Sequence, residues 1–222
     1  MMINNKEVIM KIAYVFFNGE LEGSITYFKN LLLKEKGDLY CADGGAFHLE
    51  KLKIFPLEIW GDLDSVSEEI LKKYRDNGVK IKKFPRDKDF TDGELILQHL
   101  VDKNYDEIRI ISGLGGRIDH TLTNLNLIFK FKNILFLTEK EKIFSIDGEK
   151  ILENIKGKTV SFVPFSEKVE ELTLKGFKYP LEKYTLHQGD SICMSNIVIE
   201  DRCEISFSKG KLMGIVLNEE II

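Results

Sequence analysis

Up to about residue 137 the chain alternates short apolar runs with longer amphipathic segments, and from about residue 139 that alternation stops. Ile12–Phe17, Asp38–Ala42, Leu57–Gly61, Ile108–Ser112 and Ile134–Thr138 read as buried strands. Between them, Ser24–Lys36, Ala46–Lys53, Ser67–Asn77, Thr91–Lys103 and Asp119–Phe131 carry helical spacing, with Ser67 and Thr91 as candidate N-caps ahead of acidic first turns. Strands separated by helices of this length need crossover connections, so a mainly parallel sheet is expected for residues 1–138. The remainder reads differently. "KIFSIDGEKI", "KTVSFVPF", "VEELTLKGFKY" and "YTLHQGDSICM" are strand-like with glycine turns, and "CEISFSKGKLMGIVL" alternates around Lys209-Gly210 as a hairpin does. Residues 139–222 are therefore expected to form an all-β antiparallel sandwich, with the boundary near Leu137–Lys142.

Few function classes survive the bulk properties. A net charge of −4 argues against nonspecific nucleic-acid binding, which needs an excess of Lys and Arg over phosphate. The three cysteines, Cys41, Cys193 and Cys203, form no CxxC, which fits a reducing cytoplasm and neither a disulfide framework nor a zinc site. No run reaches membrane length. Met10-Lys11 resembles a natural start, so residues 1–9 read as a dispensable extension.

Four acidic stretches punctuate the α/β half: "CADGGA" with Asp43, "GDLDS" with Asp62 and Asp64, "RDKDFTD" with Asp87, Asp89 and Asp92, and "GRIDH" with Asp119. Each closes a predicted strand or opens a predicted helix. In an open, Rossmann-like α/β sheet the crevice beyond the strands' carboxyl ends takes the ligand. If Asp62 and Asp64 continue the strand, they point the same way, and like charges that close call for a cation. Hard oxygen ligands suit Mg²⁺, which typically brings a phosphorylated substrate. Asp as a simple cap or turn former is the bland alternative.

"DGGA" and "GLGGRIDH" place glycine amides at strand-to-helix turns, where backbone approaches phosphate closely. Neither completes a Walker loop or a dinucleotide fingerprint. Arg117 strengthens the second stretch because a guanidinium grips phosphate bidentately. His120 beside Asp119 is a site candidate, whereas His48 and His99 fall inside predicted helices and read as structural. No Ser/His/Asp arrangement emerges.

"CADGGA", "WGDLDS", "KDFTD" and "GLGGRIDHTLTN" in this order, followed by a β half containing "MSN", resemble the thiamine pyrophosphokinase family. The resemblance implies transfer of a diphosphate from ATP to the thiamine hydroxyl with Mg²⁺, releasing AMP. It also implies a homodimer whose active sites lie between the α/β part of one subunit and the β-sandwich of the other. By the same resemblance Asp62, Asp64, Asp89 and Asp92 hold the metal, and Asp43 lies near the nucleotide or the thiamine hydroxyl. Arg117 with Gly115 and Gly116 holds ATP phosphates; Asp119 and His120 line that pocket. Asn18-Gly19 matches the phosphate-side turn, Gly44 and Thr91 lie on the nucleotide side, and Ser195-Asn196 match the thiamine-binding pair. Ile197 stands where many members have Glu. Trp60, the sole tryptophan, belongs to the other half and reads as core, so Phe177, Tyr179 or Phe207 is left to face the thiazolium. Another Mg²⁺-dependent enzyme of phosphorylated ligands (a hydrolase or glycosyltransferase) and a non-catalytic nucleotide sensor remain open.

Overall fold

The computed structural model describes residues 10–87 and 89–218, so the expectation for residues 1–9 lies outside them. The α/β part runs β1 (Ile12–Phe16), α1 (Ile25–Lys34), β2 (Asp38–Ala42), α2 (Gly45–Leu52), β3 (Glu58–Gly61), α3 (Glu68–Asp76), β4 (Lys80–Lys83), α4 (Asp92–Val101), β5 (Glu107–Ile111), α5 (Ile118–Lys130) and β6 (Ile134–Leu137). These six strands are parallel in the order β6-β5-β1-β2-β3-β4. The period-2 rule sorts the two faces of β1. Ala13, Val15 and Phe17 pack with Ile96, Leu97 and Leu100 of α4 and Leu127 and Ile128 of α5. Ile12, Tyr14 and Phe16 pack with Phe28 of α1, Leu49 of α2 and Tyr74 of α3.

Strand order reverses between β1 and β5: successive strands are added outward on one side through β4 and on the other through β6. A gap in loop coverage opens at such a switch point, and ligands bind there. The predicted caps form, with Ser67 Oγ accepting from the Ile70 N–H at 3.4 Å and Thr91 Oγ1 from the Glu94 N–H at 3.2 Å. β4 was not read from the sequence. Its Lys-Ile-Lys-Lys is polar because it is the sheet's edge, where one side faces water and charge discourages further pairing.

The β half contains β7 (Glu141–Ile146), β8 (Glu149–Glu153), β9 (Thr159–Pro164), β10 (Lys168–Lys175), β11 (Leu181–His187), β12 (Asn196–Ile197), β13 (Arg202–Ser206) and β14 (Leu212–Leu217). β7 pairs antiparallel with β6, so one ten-stranded sheet continues through both halves as β12-β9-β14-β7-β6-β5-β1-β2-β3-β4. A four-stranded sheet, β11-β10-β13-β8, covers its far end. Phe144, Phe162 and Leu212 of the long sheet meet Leu172, Leu174 and Ile205 of the short one in the sandwich core.

The predicted hairpin at Lys209-Gly210 does not form. β13 pairs with β8 and β10 in the short sheet, and β14 pairs with β7 and β9 in the long one. Both strands alternate because each lays one face on the same core, and alternation is blind to which sheet a strand joins. The connection crosses between layers, held by the Glu170 N–H donating to Lys209 O at 2.8 Å.

Candidate active site

Five loops meet at the switch point. After β1 the chain runs on through Asn18-Gly19-Glu20 against the loop after β5. The Gly19 N–H donates to Ser112 O at 2.7 Å and the Glu20 N–H to Leu114 O at 2.8 Å. A Cβ on Gly19 would lie 2.4 Å from Leu114 O and 2.5 Å from Ser112 O, so no side chain fits that contact. His48, buried in α2, braces the same turn from behind through Nε2 and Gly19 O, 2.9 Å apart. In the loop after β5, Gly115 and Gly116 have φ of +74° and +67°, a backbone that glycine adopts freely. Asn124 Nδ2 donates to Gly113 O at 2.7 Å and ties this loop to α5.

These loops enclose a cleft of about 700 Å³. Asn18, Gly19, Asp43, Asp62, Thr91, Asp92, Gly115, Gly116, Arg117, Asp119 and His120 all line it. Gly44 is buried beneath, where a Cβ would lie 2.1 Å from Asn18 Oδ1. Sequence reading missed Glu20, Phe17, Arg86, Phe90, Gly93, Thr123 and Asn124 on the walls. Thr123 and Asn124 belong to the "TLTN" end of the glycine motif; nothing local marks Glu20 or Arg86.

The acidic residues divide. Asp43 after β2, Asp62 after β3 and Asp92 at the start of α4 place one carboxylate oxygen each within 4.8 Å of the others. Asp64 does not continue the strand alongside Asp62. Leu63, buried with φ +63°, turns the backbone, so the side-by-side extended pair expected from "GDLDS" is not formed. Instead Asp62 Oδ1 accepts the Asp64 N–H at 3.2 Å, and the exposed Asp64 carboxylate faces Arg86 at 3.4 Å. Asp89 is exposed on the preceding loop, outside this trio.

Asp43 has φ +40°, and its Oδ2 accepts a 2.7 Å bond from Ser65 Oγ, while its buried Oδ1 has no hydrogen-bond partner. An orphaned carboxylate oxygen in such company is costly unless a cation completes it. Three oxygen donors facing an open cleft fit Mg²⁺, which keeps several waters and shares phosphate oxygens. At the rim, Arg117 and Asp119 are exposed and bonded through Nη2–Oδ2 at 2.5 Å and Nε–Oδ1 at 3.1 Å. The guanidinium holds the Asp119 carboxyl down at about 2.

Ser195 and Asn196 lie elsewhere, in the β half. Asn196 is buried and spent on backbone: Nδ2 donates to Tyr179 O at 2.8 Å, and Oδ1 accepts from the Tyr179 and Ile197 N–H groups at 3.0 Å. Ser195 is exposed with φ +52°. Asn196 and Tyr179 line a separate hollow of about 550 Å³. Of the three aromatics considered for thiamine, Tyr179 is 55% exposed and Phe177 is buried in the sandwich core. Phe207 packs against that core. Trp60 is core, stacked on Phe84 at 5.2 Å.

Comparison with known proteins accounts for both halves. The family described as "Thiamin pyrophosphokinase, catalytic domain" matches residues 29–138, and "Thiamin pyrophosphokinase, vitamin B1 binding domain" matches residues 144–212. The chain belongs to the thiamin pyrophosphokinase family. A thiamine pyrophosphokinase of Bacillus subtilis (strain 168) is 37% identical over 179 residues, covering 78% of this chain and 84% of the relative. The crystal structure of thiamine pyrophosphokinase from Bacillus subtilis superposes with a TM-score of 0.80 at 30% identity, covering 94% of this chain and 100% of that one. Yeast thiamin pyrophosphokinase, at 20% identity and a TM-score of 0.74 over 94% of this chain and 86% of its own, shares the fold. Among the described residues no helix is long and apolar enough to cross a membrane.

Proposed function

We propose that this member of the thiamine pyrophosphokinase family transfers the diphosphate of ATP to the hydroxyl of thiamine, giving thiamine diphosphate and AMP. The convergence of Asp43, Asp62 and Asp92 from three separate loops, opposite the glycine turn, carries the reading. Those three would hold Mg²⁺, which supplies charge neutralisation on the phosphates during transfer. In this reading Asp64, paired with Arg86, and Asp89, on the loop before α4, act outside that trio, through metal-bound waters. The amides of Gly115 and Gly116, with Arg117, hold phosphate oxygens and oppose the charge that develops on them. Positioning carries most of such a reaction: the alcohol must lie in line with the bond that breaks. Asp43, half-buried and oriented by Ser65, is well placed to orient that alcohol.

Residues 1–138 take ATP and metal, and residues 139–222 take thiamine and the dimer contacts. In this division Ser195 Oγ touches thiamine, and Asn196 shapes the Tyr179 segment that offers the cation an aromatic face. The enzyme acts as a homodimer with its site at the subunit interface. Exposed Ile118 and Leu122 on α5, the helix that lines the cleft, and exposed Tyr179, Ile192, Met194 and Ile199 in the β half support this as apolar side chains that a partner would cover. We place it in the cytoplasm, where thiols stay reduced.

Release of AMP that requires thiamine, measured beside plain ATP hydrolysis, tests the reading; thiamine-independent AMP release returns it to a hydrolase. Mixing Asp62→Asn subunits with Ser195→Ala subunits, assayed at thiamine well below the raised KM of the Ser195→Ala homodimer, should restore part of the activity, and no recovery in exchanged dimers rejects the shared site.

A further inference from the structure

Glu20 follows the phosphate-side turn and reaches across to the glycine loop. Its Oε1 accepts the Gly116 N–H at 3.2 Å. Its side chain lies close along Gly115, where an added Cβ would be 2.8 Å from Glu20 Cβ and 3.1 Å from its carboxyl carbon. The space around Gly116 is otherwise open, with nothing within 4 Å of where a Cβ would project. Glu20 lines the same cleft as Asp43, Asp62 and Asp92, yet it stands outside the group of carboxylates that can share a metal. A carboxylate on a positive-φ glycine amide imitates what a phosphate oxygen does there. Arg117, the other candidate phosphate-binding group of this rim, is likewise held by a carboxylate of its own chain, Asp119.

We propose that Glu20 is an internal surrogate for phosphate, occupying the Gly116 amide until the polyphosphate of the nucleotide displaces it. The proposal rests on the ATP-transfer reading above and assigns Glu20 a role in setting nucleotide affinity. The loop's amide keeps an acceptor when the cleft is empty, so the glycine turn stays formed. The cost is a negative charge that must leave before a negatively charged ligand can enter. Affinity for the triphosphate is therefore lower than the donors alone would allow, and a ligand lacking phosphates is indifferent to Glu20.

Calorimetric titration of a nonhydrolysable Mg·ATP analogue into the wild type, Glu20→Gln and Glu20→Ala tests this, with adenosine as the phosphate-free probe. Glu22→Gln removes the same charge two residues along and serves as the control. Removing the competing carboxylate should tighten the analogue about tenfold in Glu20→Ala and roughly threefold in Glu20→Gln, in which an uncharged acceptor remains. Adenosine binding and the Glu22→Gln protein should be unchanged. Equal or weaker analogue binding in both Glu20 variants, or the same gain for adenosine, overturns the proposal while leaving the ATP reading intact. Absence of analogue binding in every protein defeats the ATP reading and this proposal with it.

Discussion

Replacing Asp62 with Asn should stabilise the metal-free protein while abolishing transfer. Asn keeps the size of the side chain and the oxygen that accepts the Asp64 N–H at 3.2 Å, so only charge is lost. Carboxylate oxygens of Asp43 and Asp92 lie within 4.8 Å of that of Asp62. At this separation one pair of charges repels by about 0.9 kcal/mol in bulk water and about 3.5 kcal/mol at the effective dielectric of a protein surface. The cleft is open to solvent, so the lower figure governs each of the two pairs, giving a relief of about 1–2 kcal/mol. For a chain of this length that raises Tm by roughly 2–8 °C. The assay is thermal unfolding in EDTA and across a Mg²⁺ titration. Wild type should gain stability from the ion by mass action, and the variant should start higher and gain less. A variant less stable than wild type in EDTA, or an equal response of both to Mg²⁺, would refute the idea that carboxylate crowding here is a metal site.

Ser65→Ala removes the 2.7 Å bond to Asp43 and should lower Tm by roughly 3–6 °C, the value of about 1.5 kcal/mol for a hydrogen bond to a charged group. The same variant should lower kcat more than it raises the KM for thiamine, and Ser65→Thr should restore part of kcat. Asn196→Ala forfeits three hydrogen bonds to backbone and should cost about 3 kcal/mol, seen as a reduced urea midpoint. Ser195→Ala should leave that midpoint unchanged and raise the KM for thiamine alone; a similar loss in both variants would contradict the division between support and contact. Burial holds the His48 ring below the usual imidazole range, and burial with Lys103 and Lys82 does the same for His99. The unfolded chain then binds more protons below about pH 6.5, so stability should fall as pH drops through that region. A urea midpoint that is flat from pH 7.5 to 5.5 would contradict it, and His48→Gln with His99→Gln should flatten a slope that is present.

Elements with a strong apolar rhythm were legible in the sequence. β1 reads as buried because both its faces are covered by helices, and α3 and α4 announce themselves through Ser67 and Thr91. β4 escaped because an edge strand needs no apolar run. The hairpin at Lys209-Gly210 misled because β13 and β14 alternate toward one core from opposite sheets. The acidic residues were legible as a group and ambiguous as individuals: a single left-handed residue, Leu63, rotates Asp64 out of the trio and leaves its place to Asp43.

Local chemistry therefore determined which segments of strong apolar rhythm become helix or strand, and which residue types stand at the strand ends. Those properties depend on neighbours a few positions apart, which the linear order already contains. The tertiary structure alone decided that β1 and β5 flank the switch point, and that one sheet runs through both halves. It also decided that residues 43, 62 and 92 share one small volume. Strand order and backbone handedness at single turns set such distances, and neither is written in the spacing of side chains.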